Sequence, residues 1–108
     1  MVILRQKICD YKQLITLSTK EFKLGKEAFL IYFNENCYAY ENSCPHTGAN
    51  LNWQEGQFFS YDGLFLECSL HGALFDPTSG VCIRGPCVGQ SLKKVNITIE
   101  NDTVYAEY

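Results

Sequence analysis

The apolar residues of this chain fall into short stretches separated by turn-forming residues, a pattern typical of an all-β protein. Gly25 separates two such stretches, and Asn34-Glu35-Asn36 has the composition of a hairpin turn. Near the C-terminus, Val95-x-Ile97-x-Ile99 repeats every second residue, and Asn101-Asp102 turns into the last stretch. The pattern predicts strands over residues 2–8, 15–24, 27–33, 37–40 and 103–108, with a single helical turn over residues 10–14 capped by Asp10.

The segment from residue 43 to residue 92 has a different composition. It holds seven of the eight glycines, all three prolines and both histidines. Such a composition indicates loops that are held in place by something other than regular strand pairing. A chain of 108 residues is long enough to bury one core without staples. We therefore expect a single domain over residues 1–108, an antiparallel β sandwich or barrel framework with an inserted lobe at about residues 43–92.

Charge and hydropathy exclude several classes of partner. The formal net charge is −3, which gives no electrostatic footprint for nucleic acid or for an anionic membrane. No apolar run approaches the roughly 20 residues that span a bilayer. The N-terminal residues lack the long apolar stretch and the cleavage site of a signal peptide. We therefore expect a cytoplasmic protein that binds neither nucleic acid nor membrane.

Both histidines stand close to a cysteine, in Cys44-Pro45-His46 and in Cys68-Ser69-Leu70-His71. A glycine follows each pair, at Gly48 and at Gly72. Two thiolates and two imidazoles on two loops can hold a metal centre. A disulfide framework is the alternative use of six cysteines, but such frameworks are typical of secreted chains that are too small to build a core.

The order of these four candidate ligands bears on which metal they hold. Structural zinc sites usually pair like with like, whereas each loop here offers one cysteine and one histidine. In a binuclear iron–sulfur cluster of the Rieske arrangement, one iron takes two thiolates and the other takes two imidazoles. Each loop then supplies one ligand to each iron. The split set favours the iron–sulfur cluster, and zinc remains the alternative.

The sequence around both pairs resembles that of the Rieske-type ferredoxins, small electron carriers of multicomponent oxygenases. The resemblance covers about residues 37–92 and rests on Cys44-Pro-His-Thr-Gly-Ala and Cys68-Ser-Leu-His-Gly-Ala-Leu-Phe-Asp-Pro-Thr-Ser-Gly. Gly85-Pro86 is similar to the proline loop that covers the cluster in that family. The resemblance implies a Rieske fold with one [2Fe–2S] cluster per chain, in which the buried iron is held by Cys44 and Cys68 and the outer iron by His46 and His71.

Four differences from the respiratory Rieske proteins bear on the reduction potential of the cluster. Those proteins carry a disulfide between the two loops, and Ala49 and Leu70 stand at the matching positions here. They also carry a serine and a tyrosine whose hydroxyls hydrogen-bond cluster sulfurs, where this chain has Ala73 and Phe75. Because hydrogen bonds to sulfur favour the reduced state, we expect a cluster of low potential.

The resemblance implies a one-electron carrier that passes electrons from a flavin-dependent reductase to a terminal oxygenase. The chain would then be a monomeric component of an oxidoreductase system and not an enzyme by itself. Two alternatives remain: a small Rieske subunit of a larger reductase, as in assimilatory nitrite reductases, and a structural zinc or redox-sensing module.

Four cysteines lie outside the two Cys/His pairs. Cys9 and Cys37 fall in strand-like stretches, where a free cysteine is typically a small buried apolar side chain. Cys82 and Cys87 bracket the segment that contains Gly85-Pro86. A disulfide between these two remains an open alternative, since the sequence does not give the separation of their Cα atoms.

Overall fold

A computed structural model describes residues 5–45, 47–52 and 54–107. The described residues form one helix and nine strands: β1 (Arg5–Asp10), α1 (Tyr11–Leu17), β2 (Thr19–Leu24), β3 (Lys26–Phe33), β4 (Asn36–Glu41), β5 (Leu66–Glu67), β6 (Leu74–Phe75), β7 (Cys82–Arg84), β8 (Asn96–Glu100) and β9 (Thr103–Glu107). The predicted first strand therefore runs to Asp10, while its residues 2–4 lie outside the described residues.

The strands form three antiparallel sheets of three strands each, in the orders β1-β9-β8, β2-β3-β4 and β5-β6-β7. Two of the predicted turns are hairpins whose central residues have positive φ. These are Asn34 and Glu35 (φ 50° and 65°) between β3 and β4, and Asn101 and Asp102 (φ 49° and 59°) between β8 and β9. Positive φ at both central residues matches the strand twist, so these turns close tight hairpins. The prediction of an all-β antiparallel architecture is confirmed.

The helix is longer than the sequence predicts. Residues 15–17, assigned to a strand, form the last turn of α1, in which Leu14 is the only buried residue and Ile15 and Leu17 are exposed. Asp10 occupies the N-cap position, but its side chain makes no capping hydrogen bond. The apolar character of Ile15 and Leu17 suggested a strand. Both side chains are exposed in the structure, so no packing contact favours a strand at these positions.

Strand β3 is buried on both faces, and this places it between two cores. Residues Ala28, Phe29, Leu30 and Ile31 are all buried. Successive side chains of a strand point to opposite sides. Leu30 packs in a core with Cys9, Leu14, Ala39 and Val104, which the sheet β1-β9-β8 covers. Phe29 and Ile31 face the second core, which they share with residues of the lobe.

The predicted lobe carries the third sheet, β5-β6-β7, and its core lies against the face of β3 that presents Phe29. The rings of Phe29 and Phe58 are stacked with centroids 4.1 Å apart. The hydroxyl of Tyr40 donates a buried 2.6 Å hydrogen bond to the carbonyl of Pro77. Framework and lobe therefore share one set of buried side chains. Among the residues described, no helix has the length and apolarity needed to cross a bilayer.

Candidate metal centre

The first Cys/His pair lies in a loop that follows β4. The amide of Cys44 donates to the carbonyl of Ala49 at 2.7 Å, and the amide of Gly48 donates to the carbonyl of Cys44 at 2.7 Å. Gly48 has φ +78°, in the left-handed region that favours glycine. The glycine after the first pair is therefore the residue that lets the loop fold back on its cysteine.

The second pair lies in the turn between β5 and β6, and its backbone repeats the same pattern. The amide of Cys68 donates to the carbonyl of Ala73 at 2.9 Å, and the amide of Gly72 donates to the carbonyl of Cys68 at 2.8 Å. Gly72 has φ +70°. Each cysteine thus accepts from the glycine four residues later, and the two loops are built alike.

The two loops are joined through the backbone of Leu51. Its amide donates to the side-chain oxygen of Asn42 at 2.8 Å. Its carbonyl accepts two hydrogen bonds from Ser69, one from the amide and one from the hydroxyl, both at 2.8 Å. Asn42 follows β4 directly, and its own amide donates to the carbonyl of Glu27 at 2.9 Å. A continuous path of hydrogen bonds therefore runs from the framework to the second loop.

The segment with Gly85-Pro86 packs against the second loop. Gly85 has φ +105°, and a Cβ atom on it would lie 2.9 Å from the Cα of Ala73. Contacts that close are almost unknown for a real Cβ atom, so a side chain at this position would force the segment away from Ala73. Ala73 is fully buried beneath it. The segment that was compared with a proline loop thus lies directly on the loop that carries Cys68 and His71.

The thiols of Cys44 and Cys68 meet inside the second core. Both residues are buried, and Cys68 hydrogen-bonds to Cys44. Burial raises the pKa of the Cys68 thiol above its ordinary value, while backbone amides of Leu70 and His71 donate to its sulfur and oppose that rise. Such amides would stabilise a thiolate, the form of cysteine that binds a metal.

Of the two histidines, the structure describes His71 alone. His71 is exposed, beside Leu70, whose side chain is 51% exposed. His46 lies outside the described residues. The structure therefore brings together Cys44 and Cys68 within the core and places His71 at the surface above them.

This arrangement fits a group with an inner, sulfur-bound end and an outer, nitrogen-bound end. The inner end would contact two buried thiols and the apolar side chains around them. The outer end would reach an exposed imidazole. Among residues 5–45, 47–52 and 54–107, no three metal-ligating side chains converge on one point.

Two features of the site had only a weak signal in the sequence. Asn42 is the one buried polar residue among those described, and nothing in its neighbourhood marks it as the link between loops. Cys82 and Cys87 stand out in the sequence by their spacing alone. In the structure both are buried free thiols with sulfurs 2.9 Å apart. Cys9 is buried in the other core, as predicted, whereas Cys37 is only partly buried and packs against that core.

Comparison with known proteins identifies the family of the chain. Residues 5–99 match the Rieske [2Fe-2S] domain. The chain belongs to this family. The match includes both Cys/His loops and the strands on either side of them. The Rieske fold and the [2Fe–2S] cofactor that the sequence predicts are thereby confirmed, and the zinc alternative is set aside.

Two of the relatives with a similar sequence or fold are ferredoxins. The ferredoxin component of the naphthalene 1,2-dioxygenase system of Pseudomonas putida is 34% identical over 77 residues, covering 71% of this chain and 68% of that protein. The ferredoxin of carbazole 1,9a-dioxygenase from Nocardioides aromaticivorans IC177 superposes with a TM-score of 0.76 at 23% identity, covering 94% of this chain and 95% of that one.

A further solved Rieske structure is a complex of reduced oxygenase and oxidised ferredoxin in carbazole 1,9a-dioxygenase. Its TM-score is 0.76 at 22% identity, and the match covers 94% of this chain and 91% of that one. At such identities the structural likeness establishes a shared fold. The prediction of an electron-transfer protein that is not itself a catalyst is confirmed by the curated relative, which is a ferredoxin component.

Proposed function

We propose that this chain is a Rieske ferredoxin that carries single electrons from a flavin-dependent reductase to a terminal oxygenase in the cytoplasm. The observation that carries this proposal is the layered site, in which two buried thiols lie beneath an exposed histidine. A carrier needs its redox group shielded from water on one side and close to a partner on the other. Layering of this kind meets both needs.

In this proposal the whole chain, residues 1–108, is a single Rieske domain, and its lobe at about residues 43–92 holds one cluster. Cys44 and Cys68 ligate the inner iron, and His46 and His71 ligate the outer iron. When bound, the cluster accepts one electron and returns it. The chain fixes the ligands through the paired loops and excludes water from the thiols with the apolar core around them.

The partner surface in this proposal is the exposed tip at Leu70 and His71. Electron-transfer encounters are small and short-lived, so one exposed apolar residue beside the outer ligand contributes a large share of such a contact. The relatives named above include a ferredoxin that forms a complex with an oxygenase. We propose the same class of partner here, with the chain acting as a monomer.

Spectroscopy of the purified protein tests the ligand assignment. Reduced protein should give the low-temperature spin-resonance signal of a mixed cysteine–histidine [2Fe–2S] centre, with one cluster per chain. Changing any one of Cys44, His46, Cys68 or His71 to alanine should remove that signal. The matched controls Cys9→Ala, within the other core, and Cys37→Ala, at its margin, should keep the signal. A normal signal from a ligand variant would overturn the assignment of that residue.

Rapid-mixing kinetics test the partner assignment. The reduced chain should be reoxidised by a terminal oxygenase much faster than by a sirohaem-containing reductase. Leu70→Asp should slow this step while leaving the spectrum intact. Leu17→Asp is the matched control, because Leu17 is similarly exposed (55%) but lies on α1. Equal slowing by both variants would contradict a docking surface at the tip, and faster transfer to the sirohaem enzyme would favour the reductase-subunit alternative.

A further inference from the structure

Cys82 and Cys87 form a second thiol pair beside the candidate cluster ligands. The thiol of Cys87 donates to the sulfur of Cys82 at 2.9 Å. Cys82 in turn donates to the carbonyl of Arg84 at 3.3 Å. Both cysteines are free in the structure and belong to the same core as Cys44.

The backbone holds these two residues face to face. The amide of Cys82 donates to the carbonyl of Gln90 at 2.8 Å, and the amide of Gln90 donates to the carbonyl of Cys87 at 2.9 Å. The amide of Gly89 closes the loop with a 3.3 Å bond to the carbonyl of Cys82. The short distance between the sulfurs is therefore set by a loop that is fixed at both ends.

The pair lies under a single layer of chain. Of residues 81–90, only the two cysteines are buried, while the other eight residues are exposed. The two thiols are therefore covered by exposed residues of their own short segment, and in the proposal below an oxidant reaches them through local opening of that segment.

We propose that Cys82 and Cys87 form a reversible disulfide, a covalent modification site next to the cluster. The oxidant is a low-molecular-weight disulfide, such as oxidised glutathione. One cysteine attacks it and releases the first small thiol, and the second cysteine then displaces the other small thiol. Two S–H bonds break and one S–S bond forms. The two electrons end in the cleaved oxidant, and the two protons end on the released thiols.

The disulfide changes the surroundings of the cluster, and this part rests on the proposed function. The Cys87 thiol is within hydrogen-bonding reach of Cys44 as well as of Cys82. Cys87 has one thiol proton, which points to Cys82 in the structure. In this proposal the proton turns to Cys44 once Cys44 ligates iron as a thiolate, the stronger acceptor, and oxidation removes that donor. Because hydrogen bonds to ligand sulfur favour the reduced cluster, the disulfide form has the lower potential.

Peptide mapping tests the covalent step. Holoprotein is treated with oxidised or reduced glutathione, quenched in acid and alkylated. Cleavage after Phe75 and after Arg84 places Cys82 and Cys87 in separate peptides, which stay joined only through a disulfide. Joined peptides are expected in the oxidised wild type and in the control Cys37→Ser, and absent in Cys82→Ser. Full alkylation of both cysteines after oxidation, or a bond from Cys87 to Cys44, would overturn the proposal.

Redox titration of the same samples tests the effect on the cluster. The midpoint potential should be lower in the disulfide form than in the dithiol form, and it should not respond to glutathione in Cys82→Ser. An identical potential in the two forms would refute the effect of the disulfide on the cluster. If the isolated protein contains no cluster, the proposed function fails, whereas the peptide map still decides whether the disulfide forms.

Discussion

The side-chain oxygen of Asn42 accepts a 2.8 Å hydrogen bond from the backbone amide of Leu51. Leu51 is fully buried, and its carbonyl holds Ser69 of the second loop. One side chain at the end of β4 therefore fixes the point at which the two ligand loops are joined. Cys44 lies two residues after Asn42, and Cys68 lies next to Ser69. The distance between the two cysteines therefore depends on this joint.

We expect Asn42→Ala to destabilise the protein and to loosen the cluster. The variant leaves the buried amide of Leu51 without its acceptor, which costs about 1–3 kcal/mol. Equilibrium unfolding in urea, followed by the visible absorption of the cluster, should have a correspondingly lower midpoint. Asn50→Ala is the control, since Asn50 is exposed and its side chain donates a 2.6 Å hydrogen bond to Glu27, which is also exposed. Its effect should stay within about 0.5 kcal/mol, and equal effects of the two variants would contradict the prediction.

Two glycines of the segment 82–90 differ in what surrounds them, although both have positive φ. Gly85 (φ +105°) packs on the Cα of Ala73, whereas Gly89 (φ +93°) has no atom within 4 Å of an added Cβ. Alanine at either position suffers a similar backbone strain of about 1–2 kcal/mol. Gly85→Ala must in addition push the loop away from the second ligand loop.

We therefore expect Gly85→Ala, but not Gly89→Ala, to alter the spin-resonance and visible circular dichroism spectra of the cluster. Both variants should lower the thermal midpoint, and Gly85→Ala should lower it further. Identical spectra for Gly85→Ala and the wild type would show that the loop does not set the cluster environment.

The parts of the fold that the sequence predicts well are those with a local signal. Gly25, Asn34-Glu35 and Asn101-Asp102 are turns because a few adjacent residues favour positive φ, and each lies where it was expected. The ligand pairs were equally visible, since a cysteine and a histidine one or two residues apart form a local pattern. The last turn of α1 was missed because only Leu14 is buried, which leaves no helical period to detect.

The joints between segments could not be predicted in the same way. The contacts of Asn42 with Leu51, and of Gly85 with Ala73, link residues that are 9 and 12 positions apart along the chain. Neither contact follows from propensity or from hydrophobic period. The same holds for the short approach of Cys82 to Cys87, because a spacing in sequence does not fix whether two side chains point toward each other.

Tyr40 should make stability depend on alkaline pH. Burial raises its pKa above the ordinary value of about 10, with a smaller contribution from the charge of Asp76. A raised pKa of an acid means that the neutral form is favoured in the folded state. The contribution of Tyr40 to the free energy of unfolding is therefore complete below about pH 10 and is lost as the pH rises through the folded-state pKa.

Tyr40→Phe separates this contribution from that of the other titrating groups. The variant loses the hydrogen bond to Pro77 and should be less stable at pH 8 by about 1–3 kcal/mol, since the carbonyl is left buried and unpaired. Its thermal midpoint should approach that of the wild type as the pH rises above 10. Tyr61→Phe, at a fully exposed position, should follow the wild type throughout. A constant gap between wild type and Tyr40→Phe would contradict the prediction.

The final prediction concerns the potential of the cluster. Ala73 and Phe75 are fully buried and have no hydroxyl to donate to a cluster sulfur. The midpoint potential should therefore lie near the bottom of the range of about −150 to +300 mV for Rieske centres. Ala73→Ser introduces a donor. One hydrogen bond contributes about 0.5–1.5 kcal/mol. For a one-electron couple, a tenfold change in the equilibrium constant corresponds to about 59 mV. The midpoint potential should therefore rise by roughly 20–60 mV.

Redox titration with a spectroscopic readout measures this rise. Ala106→Ser is the matched control, because Ala106 is equally buried but lies on β9 in the framework. It should leave the potential unchanged while costing similar stability. A potential well above zero for the wild type would contradict the low-potential assignment. An equal shift in both serine variants would mean that the change acts through general destabilisation, since only Ala73 lies in the loop that carries Cys68 and His71.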